Sequence, residues 1–585
     1  MASEMPSPDP RNIRSGWEVP SENYADQPYV VVTKQGHWLC TLTTGRGQEG
    51  QAGQHIVAAT STDRGRTWSR PVNIEPADGP EASWVVPLVA PGGRVFAFYT
   101  YNAENRRTVK DAAGRPIARV DTLGRYVFKV SDDGGRTWSA RRYEVPIRTT
   151  AIDRGNVYGG EVKLFWNVCK PIVAGGAVLT AIHKVGNFGP GFMVSSEGFL
   201  FRSEDLLTAA DPAQATWTMW PAGEQGLHTR PGAVSDEHNL VALSGGGVFC
   251  MFRTTTGHPW CTYSRDGGRT WEDPAPAAFA PGGRLFRHPR ACPRIWRTQA
   301  GEFLFWFHNH GGRSYADRNP AWIVGGVERD GRIHWSQPEV LLYDPDPKVR
   351  ISYPDLVEQD GRYWVTETQK SVARVHEIDA ALLKGLWAQG EARTLATKGL
   401  VISLDAAQCA ATGTVVMPRL PDPSQGGGLA IDLWLTLGDL AAGQVVLDSR
   451  TEGGAGLAVT TGPDATLQLS LSDGKTAAEW ASDAGRIEKG KRHHVVFIAD
   501  GGPKLITVVL DGVLCDGTSA LPAGRGTRQF GWGRFPPALG DVPGGPKLRV
   551  APSLKGTLHS LRLYTRHLRT SEAIANFHGA LPPEP

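Results

Sequence analysis

Ser61-Thr-Asp-Arg-Gly-Arg-Thr-Trp68, Ser131-Asp-Asp-Gly-Gly-Arg-Thr-Trp138 and Ser264-Arg-Asp-Gly-Gly-Arg-Thr-Trp271 are three copies of one pattern, S-x-D-x-G-x-T-W. An internal repeat outranks other sequence signals, because it fixes the architecture before any single element is read. The pattern encodes a tight hairpin. Ser and Asp side chains bond nearby backbone N–H groups, Gly supplies the turn geometry, and the Trp ring packs between sheets. Two weaker echoes fall between and after the copies: Phe201-Arg-Ser-Glu-Asp205 leading to Trp217, and Asp330-Gly-Arg332 leading to Trp335. The five positions are spaced by roughly 60 to 70 residues, enough for four strands and their loops. Strand-like runs such as Tyr29–Thr33, Val95–Tyr99 and Leu304–Phe307 fit that unit.

This eight-residue pattern is the Asp box, and through it the sequence resembles the sialidase (neuraminidase) superfamily of β-propellers. The resemblance implies an all-β fold in which residues 20–395 form a six-bladed propeller. A seven-bladed one stays open, because part of the count rests on degenerate repeats. It also implies that the boxes lie on outer turns, away from the axis, so their aspartates are structural. Residues 396–428, rich in Pro, Gly and Asp towards their end, read as a linker or opening segment. Residues 429–585 carry short alternating strands such as Leu429–Leu437 and Leu505–Leu510. The phrases Arg492-His-His-Val-Val-Phe497 and Gly556-Thr-Leu-His-Ser-Leu-Arg-Leu-Tyr564 resemble the laminin-G/concanavalin-type β-sandwich, or jelly roll. No acid/base cluster stands out in that part, so it is expected to assist binding and carry no chemistry.

In the sialidase pattern the site is built from inner strands of separate blades: three arginines for a substrate carboxylate, a Tyr/Glu nucleophile pair and an Asp acid/base. Ser235-Asp-Glu237 through Phe252-Arg253 looks like the strand pair that supplies the glutamate and the second arginine, and Ser352-Tyr353-Pro354 like the strand of the nucleophile. Glu237, Arg253 and Tyr353 take those places. Arg318 matches the third arginine by spacing, in competition with Arg313 and Arg290, and Arg350 lies beside Tyr353. The chemistry has a reason. At a carbon bearing a carboxylate, an anionic nucleophile meets like-charge repulsion, whereas a neutral Tyr deprotonated by a Glu avoids it. Two positions depart from the pattern. Gln27, in Tyr24-Ala-Asp-Gln-Pro28, stands where the first arginine belongs, and His55 stands where the Asp acid/base belongs. A histidine titrates near pH 6.5 and serves either role. Polar residues within apolar phrases, in Phe165–Lys170, His288–Arg290 and Thr366–Lys370, add Lys170, Arg290 and Lys370 as candidate pocket residues.

The bulk numbers exclude several classes. A chain of 585 residues exceeds one core. Gly 70, Pro 42 and Trp 19 suit short strands and tight turns. A formal net charge of +3 gives no reason to invoke nucleic acid. No apolar run reaches the roughly 20 residues of a membrane helix. The opening Met-Ala-Ser-Glu-Met lacks a secretory signal, which leaves a cytoplasmic protein or a secreted or periplasmic one with its signal removed. Seven cysteines without a CxxC pair read as buried thiols. No HExxH, EF-hand or Cys/His cluster signals a metal, and no cofactor is expected. A structural calcium held by carbonyls would leave no sequence trace. The expectation is therefore an enzyme acting on an oligosaccharide or polysaccharide. It would be a sialidase-like glycoside hydrolase that releases a terminal sialic- or uronic-acid-type sugar. The alternatives are a polysaccharide lyase cutting a uronate linkage, such as rhamnose–glucuronate, by β-elimination, and a non-enzymatic glycan-binding protein.

Overall fold

The computed structural model describes residues 9–517 and 528–579. The fold is all-β, with helices confined to short segments such as Ala380–Trp387 and Thr570–Gly579. Six antiparallel sheets of four or five strands follow one another along the N-terminal part. The first is Tyr24–Val32, Trp38–Gly45, His55–Ser61 and Val72–Asn73; the second begins with Ala82–Val89 and ends with Tyr143–Glu144. The third is built around the long hairpin Ala177–Gly189 and Phe192–Ser203, the fourth around Ser235–Ala242 and Val248–Thr254, and the fifth around Phe303–Phe307 and Ala321–Arg329. The sixth takes Ser352–Gln359, Arg362–Thr368 and Ala373–Ile378, and its fourth strand is Trp17–Val19 from the start of the chain. The opening strand of the first sheet packs on those of the second and the sixth. Both faces of these strands are covered, so Tyr24–Val32 and Ser235–Ala242 read as buried runs rather than as alternating ones.

The three Asp boxes are hairpin turns between the third and fourth strands of the first, second and fourth sheets. In each, the Ser hydroxyl donates to the box aspartate at 2.8 Å, and the Thr hydroxyl donates to its other oxygen at 2.6 Å. Burial pushes Asp133 and Asp266 upward, but the bonds from Thr, Ser and backbone N–H outweigh it and hold each at about 2. The third sheet carries the same device in interrupted form. Ser203 Oγ donates to Asp205 at 2.9 Å, and the closing threonine is Thr216, whose hydroxyl reaches Asp205 at 2.8 Å. The fifth position is different. Asp330 and Gly331 are the two positive-φ residues (52° and 69°) of a plain hairpin between Ala321–Arg329 and Arg332–Trp335.

The C-terminal part is two facing sheets. One joins Leu400–Leu404, Gly556–Tyr564, Gly428–Leu437, Arg492–Asp500, Leu505–Leu510 and Val513–Leu514; the other joins Thr414–Val416 through Ala477–Ala481. The segment expected as an opening stretch thus already contains strands paired within this domain. Along Gly428–Leu437, Leu429, Ile431, Leu433 and Leu435 face the interior between the two sheets, whereas Ala430 packs the other way with Val496 and Ile498. That outer face shares one apolar cluster with Phe305, Trp322 and Trp335 of the fifth sheet. The two parts therefore have a common core and not a loose tether.

Candidate active site

Four of the six opening strands carry the same irregularity. The pairing register slips by one residue between Asp26 and Tyr29, Ser83 and Val86, Asp236 and Asn239, and Ser352 and Asp355. Within the slip stands a non-glycine residue in the left-handed region: Gln27 (φ 53°), Trp84 (63°), Glu237 (51°) and Tyr353 (47°). A β-bulge re-aims one side chain, and each such conformer costs about 1–3 kcal/mol. Repetition of one strained residue at equivalent places is a mark of a constructed site.

The bulges bring two candidates into direct contact. Tyr353 Oη donates to Glu237 Oε1 at 2.7 Å, and Arg253 Nη1 lies 2.8 Å from the same oxygen. Arg253 also holds Asp236 bidentately, at 2.7 and 3.0 Å. Glu237 is buried, and its Oε2 has no hydrogen-bond partner among the described residues. Burial, opposed by Arg253 and reinforced by Asp236, holds the Glu237 carboxyl above its ordinary range. Burial and then the Glu237 charge push the Tyr353 phenol well above 10.

Arg290 and Arg318 join this group. The guanidinium carbons of Arg253, Arg290 and Arg318 lie 5.7, 4.5 and 5.6 Å from the centre of the Tyr315 ring. Arg318 donates to Ser352 Oγ at 3.0 Å and to the Arg290 carbonyl at 2.8 Å; Arg290 donates to the Gly191 carbonyl at 3.1 Å. Neither Nε has a partner among the described residues. Only Arg253 of the three is paired with carboxylates in these contacts, so the cluster holds unspent positive charge.

The fourth cation comes from the sixth sheet. Lys370 Nζ lies 4.2 Å from the centre of the Tyr353 ring, 2.5 Å from Asp26 Oδ2 and 3.1 Å from Glu49 Oε2. Glu49, about a third exposed (36%), is also 3.2 Å from Arg119. Burial works to raise its pKa, but Lys370 and Arg119 prevail and hold it at about 2. Glu49, Arg119 and Tyr315 were not singled out from the sequence. The only signal for Glu49 was a carboxylate in the glycine-rich loop Gly45–Gly53, ahead of the first Asp box.

Other candidates lie elsewhere. Gln27 is buried at its bulge, where its Nε2 donates to the Asn167 carbonyl at 3.2 Å. His55 is buried with Nε2 3.6 Å from Glu22, and no contact among the described residues joins it to Tyr353 or Glu237. Lys170 faces away from the pair. Its Nζ is 2.6 Å from both Asp355 Oδ2 and the Val30 carbonyl, beside a cavity of about 510 Å³ that Arg294 and Trp296 also line. Arg350 is exposed, though its charge is felt at Arg318. Among the described residues no cluster of His, Cys, Asp and Glu suits a metal, and no helix is long and apolar enough to cross a membrane.

A family described as BNR repeat-like domain matches residues 75–365, and the concanavalin A-like lectin/glucanases superfamily matches residues 410–575. The chain carries a BNR repeat-like domain. No curated protein matches the chain. Solved structures similar to it include a Dyadobacter fermentans protein of unknown function (15% identity, 62% of this chain and 97% of that one, TM-score 0.45). They also include Trypanosoma rangeli sialidase (13%, 95% and 93%, 0.42) and the Ruminococcus gnavus intramolecular trans-sialidase (14%, 63% and 96%, 0.43). The Tyr353–Glu237 contact and the Tyr315 arginines lie within or near the span matched to the BNR domain.

Proposed function

We propose that the six N-terminal sheets are the blades of a six-bladed propeller spanning about residues 20–395, and that it is a glycoside hydrolase acting on a terminal acidic sugar. The observation that carries this reading is the 2.7 Å contact from Tyr353 to Glu237, under Arg253. Tyr353 Oη attacks the anomeric carbon, its proton passes to Glu237, and the glycosidic C–O bond breaks. A water molecule then hydrolyses the tyrosyl–sugar bond. Arg290 and Arg318, whose guanidinium groups are not tied to carboxylates in the contacts above, take the sugar carboxylate. Lys370 supplies the cation that Gln27 cannot.

Glu49 is the better placed proton donor for the leaving oxygen, because it joins the Lys370 side of the Tyr353 ring while His55 pairs with Glu22. In the free protein Glu49 is held ionised. A ligand carboxylate that drew Lys370 away would let its pKa rise towards that of an acid catalyst. The same observation supports a second reading. With Glu49 ionised, its carboxylate is a base among the site's cations, which suits a lyase that removes a proton next to a neutralised uronate carboxylate. The C-terminal sandwich would bind glycan or serve packing alone.

The test is a panel of 4-methylumbelliferyl sialosides and glucuronides with uronate-containing polysaccharides. Release of a saturated acidic sugar supports the hydrolase; a product that absorbs in the ultraviolet, from a C4–C5 double bond, supports the lyase. Binding of acidic glycans with no product after long incubation would sink both.

A further inference from the structure

The connection between Phe303–Phe307 and Ala321–Arg329 runs through residues 308–320 without a regular strand or helix, and it carries both Tyr315 and Arg318. Structureless connections this long are uncommon in compact domains and must be held by something. Within the N-terminal part, Arg290 N donates to the Ser314 carbonyl at 3.0 Å and Arg318 donates to Ser352 Oγ at 3.0 Å. The two ends of the connection are fixed by the other domain. Gly311 N donates to the Gln529 carbonyl at 2.9 Å, and His310 bridges to Phe530 with the rings 4.8 Å apart. Trp532 Nε1 donates to the Asn309 carbonyl at 3.3 Å, and Arg534 Nη2 donates to the Asn319 carbonyl at 2.8 Å. Arg287, at the base of the same seam, donates to the Asp516 and Arg528 carbonyls. Glycines on both sides of the seam leave little room for a side chain: a Cβ at Gly517 would stand 3.0 Å from Arg287 Nη1, and one at Gly312 3.1 Å from Gln529 Nε2.

We propose that the segment Gln529–Arg534 of the C-terminal domain is a positioning element of the candidate site, with Trp532 and Arg534 as its positioning residues. It grips residues 309–311 on one side and Asn319 on the other, so the tip between them presents Tyr315 and Arg318 to the arginine cluster at one fixed height. The inference rests on the reading of that cluster as the ligand-facing group. It makes the sandwich a structural part of carboxylate recognition, against the sequence-based expectation that it assists binding only from outside the site.

The test uses the full chain with Arg534→Met and Trp532→Phe, singly and together, and Arg534→Lys as the conservative control. Amide hydrogen–deuterium exchange of the ligand-free protein is read first. In the double variant, amides of residues 309–319 are expected to exchange about tenfold faster, while those of Phe303–Phe307 and Ala321–Arg329 stay unchanged. Arg534→Lys, which keeps a donor, should lie closer to the parent. On the acidic glycoside that the parent turns over, KM should rise about tenfold with kcat nearly constant, the pattern of lost ligand binding. Unchanged exchange over 309–319, or equal loosening of the whole fifth sheet, overturns the proposal. Should the parent turn over no acidic glycoside, that failure belongs to the proposed activity, and the exchange result still decides the positioning.

Discussion

Tyr353→Phe is the sharpest probe of the site. The substitution deletes one oxygen and keeps the ring under Lys370, 4.2 Å from Nζ, and the bulge that places it. The lost bond is the 2.7 Å donation to Glu237 Oε1, which retains Arg253 at 2.8 Å. A hydrogen bond to a charged acceptor is worth about 1.5–3 kcal/mol, and the remaining partner offsets part of it, so folded stability should drop by no more than about 2 kcal/mol. Turnover should fall far more. Without the nucleophile the two-step route is closed, and a loss of at least about a thousandfold, about 4 kcal/mol in the barrier, is expected. Initial rates on the fluorogenic acidic glycoside cleaved by the parent, with thermal melts of both proteins, separate the two effects. A variant that melts like the parent and turns over within tenfold of it would refute the assignment of Tyr353 as nucleophile.

Glu237→Gln should abolish activity, and its melting temperature relative to the parent should be more favourable at neutral pH than in acid. The folded carboxyl titrates above its unfolded value, so its stabilising contribution is full below the unfolded pKa and is lost as pH rises through the folded one. The advantage of the glutamine should therefore shrink as melts are repeated towards pH 4. Lys370→Met strands Asp26 and Glu49 and should cost about 2–3 kcal/mol, discounted from the fully buried case because the lysine is partly exposed. The Glu49 carboxyl should then titrate above about 2, seen as an altered acid limb in the activity profile or by carboxyl NMR. A chain ended near residue 395 strips the cover from Phe305, Trp322 and Trp335, and light scattering should show it associating. A monodisperse, fully active fragment would contradict the shared core.

What could be read from the sequence was whatever is local. Each Asp box closes within eight residues, so three boxes stood out. The box at Ser203–Asp205 was blurred because its threonine arrives only at Thr216. Glu237 and Tyr353 were singled out through the resemblance of Ser235–Arg253 and Ser352-Tyr353-Pro354 to the sialidase pattern, and the structure brings the two side chains into contact. Glu49 was not, because its place depends on a loop held through the bond from Val120 N to the Gly50 carbonyl, 3.1 Å long, and on a lysine more than three hundred positions away. The surroundings of Lys170 were hidden for the same reason: its partner Asp355 lies on another sheet.

The repeated bulge has a consequence for how such a protein changes its chemistry. The backbone at Gln27, Trp84, Glu237 and Tyr353 is bent alike whichever side chain it carries. An amide, an indole, a carboxylate and a phenol thus occupy interchangeable sockets, and the strain belongs to the socket rather than to its occupant. Replacing an occupant leaves the surrounding ladder intact, so new reactivity can be installed one residue at a time without renegotiating the fold. Glycine, which fits the left-handed backbone freely, would relax any of the four and leave it chemically blank.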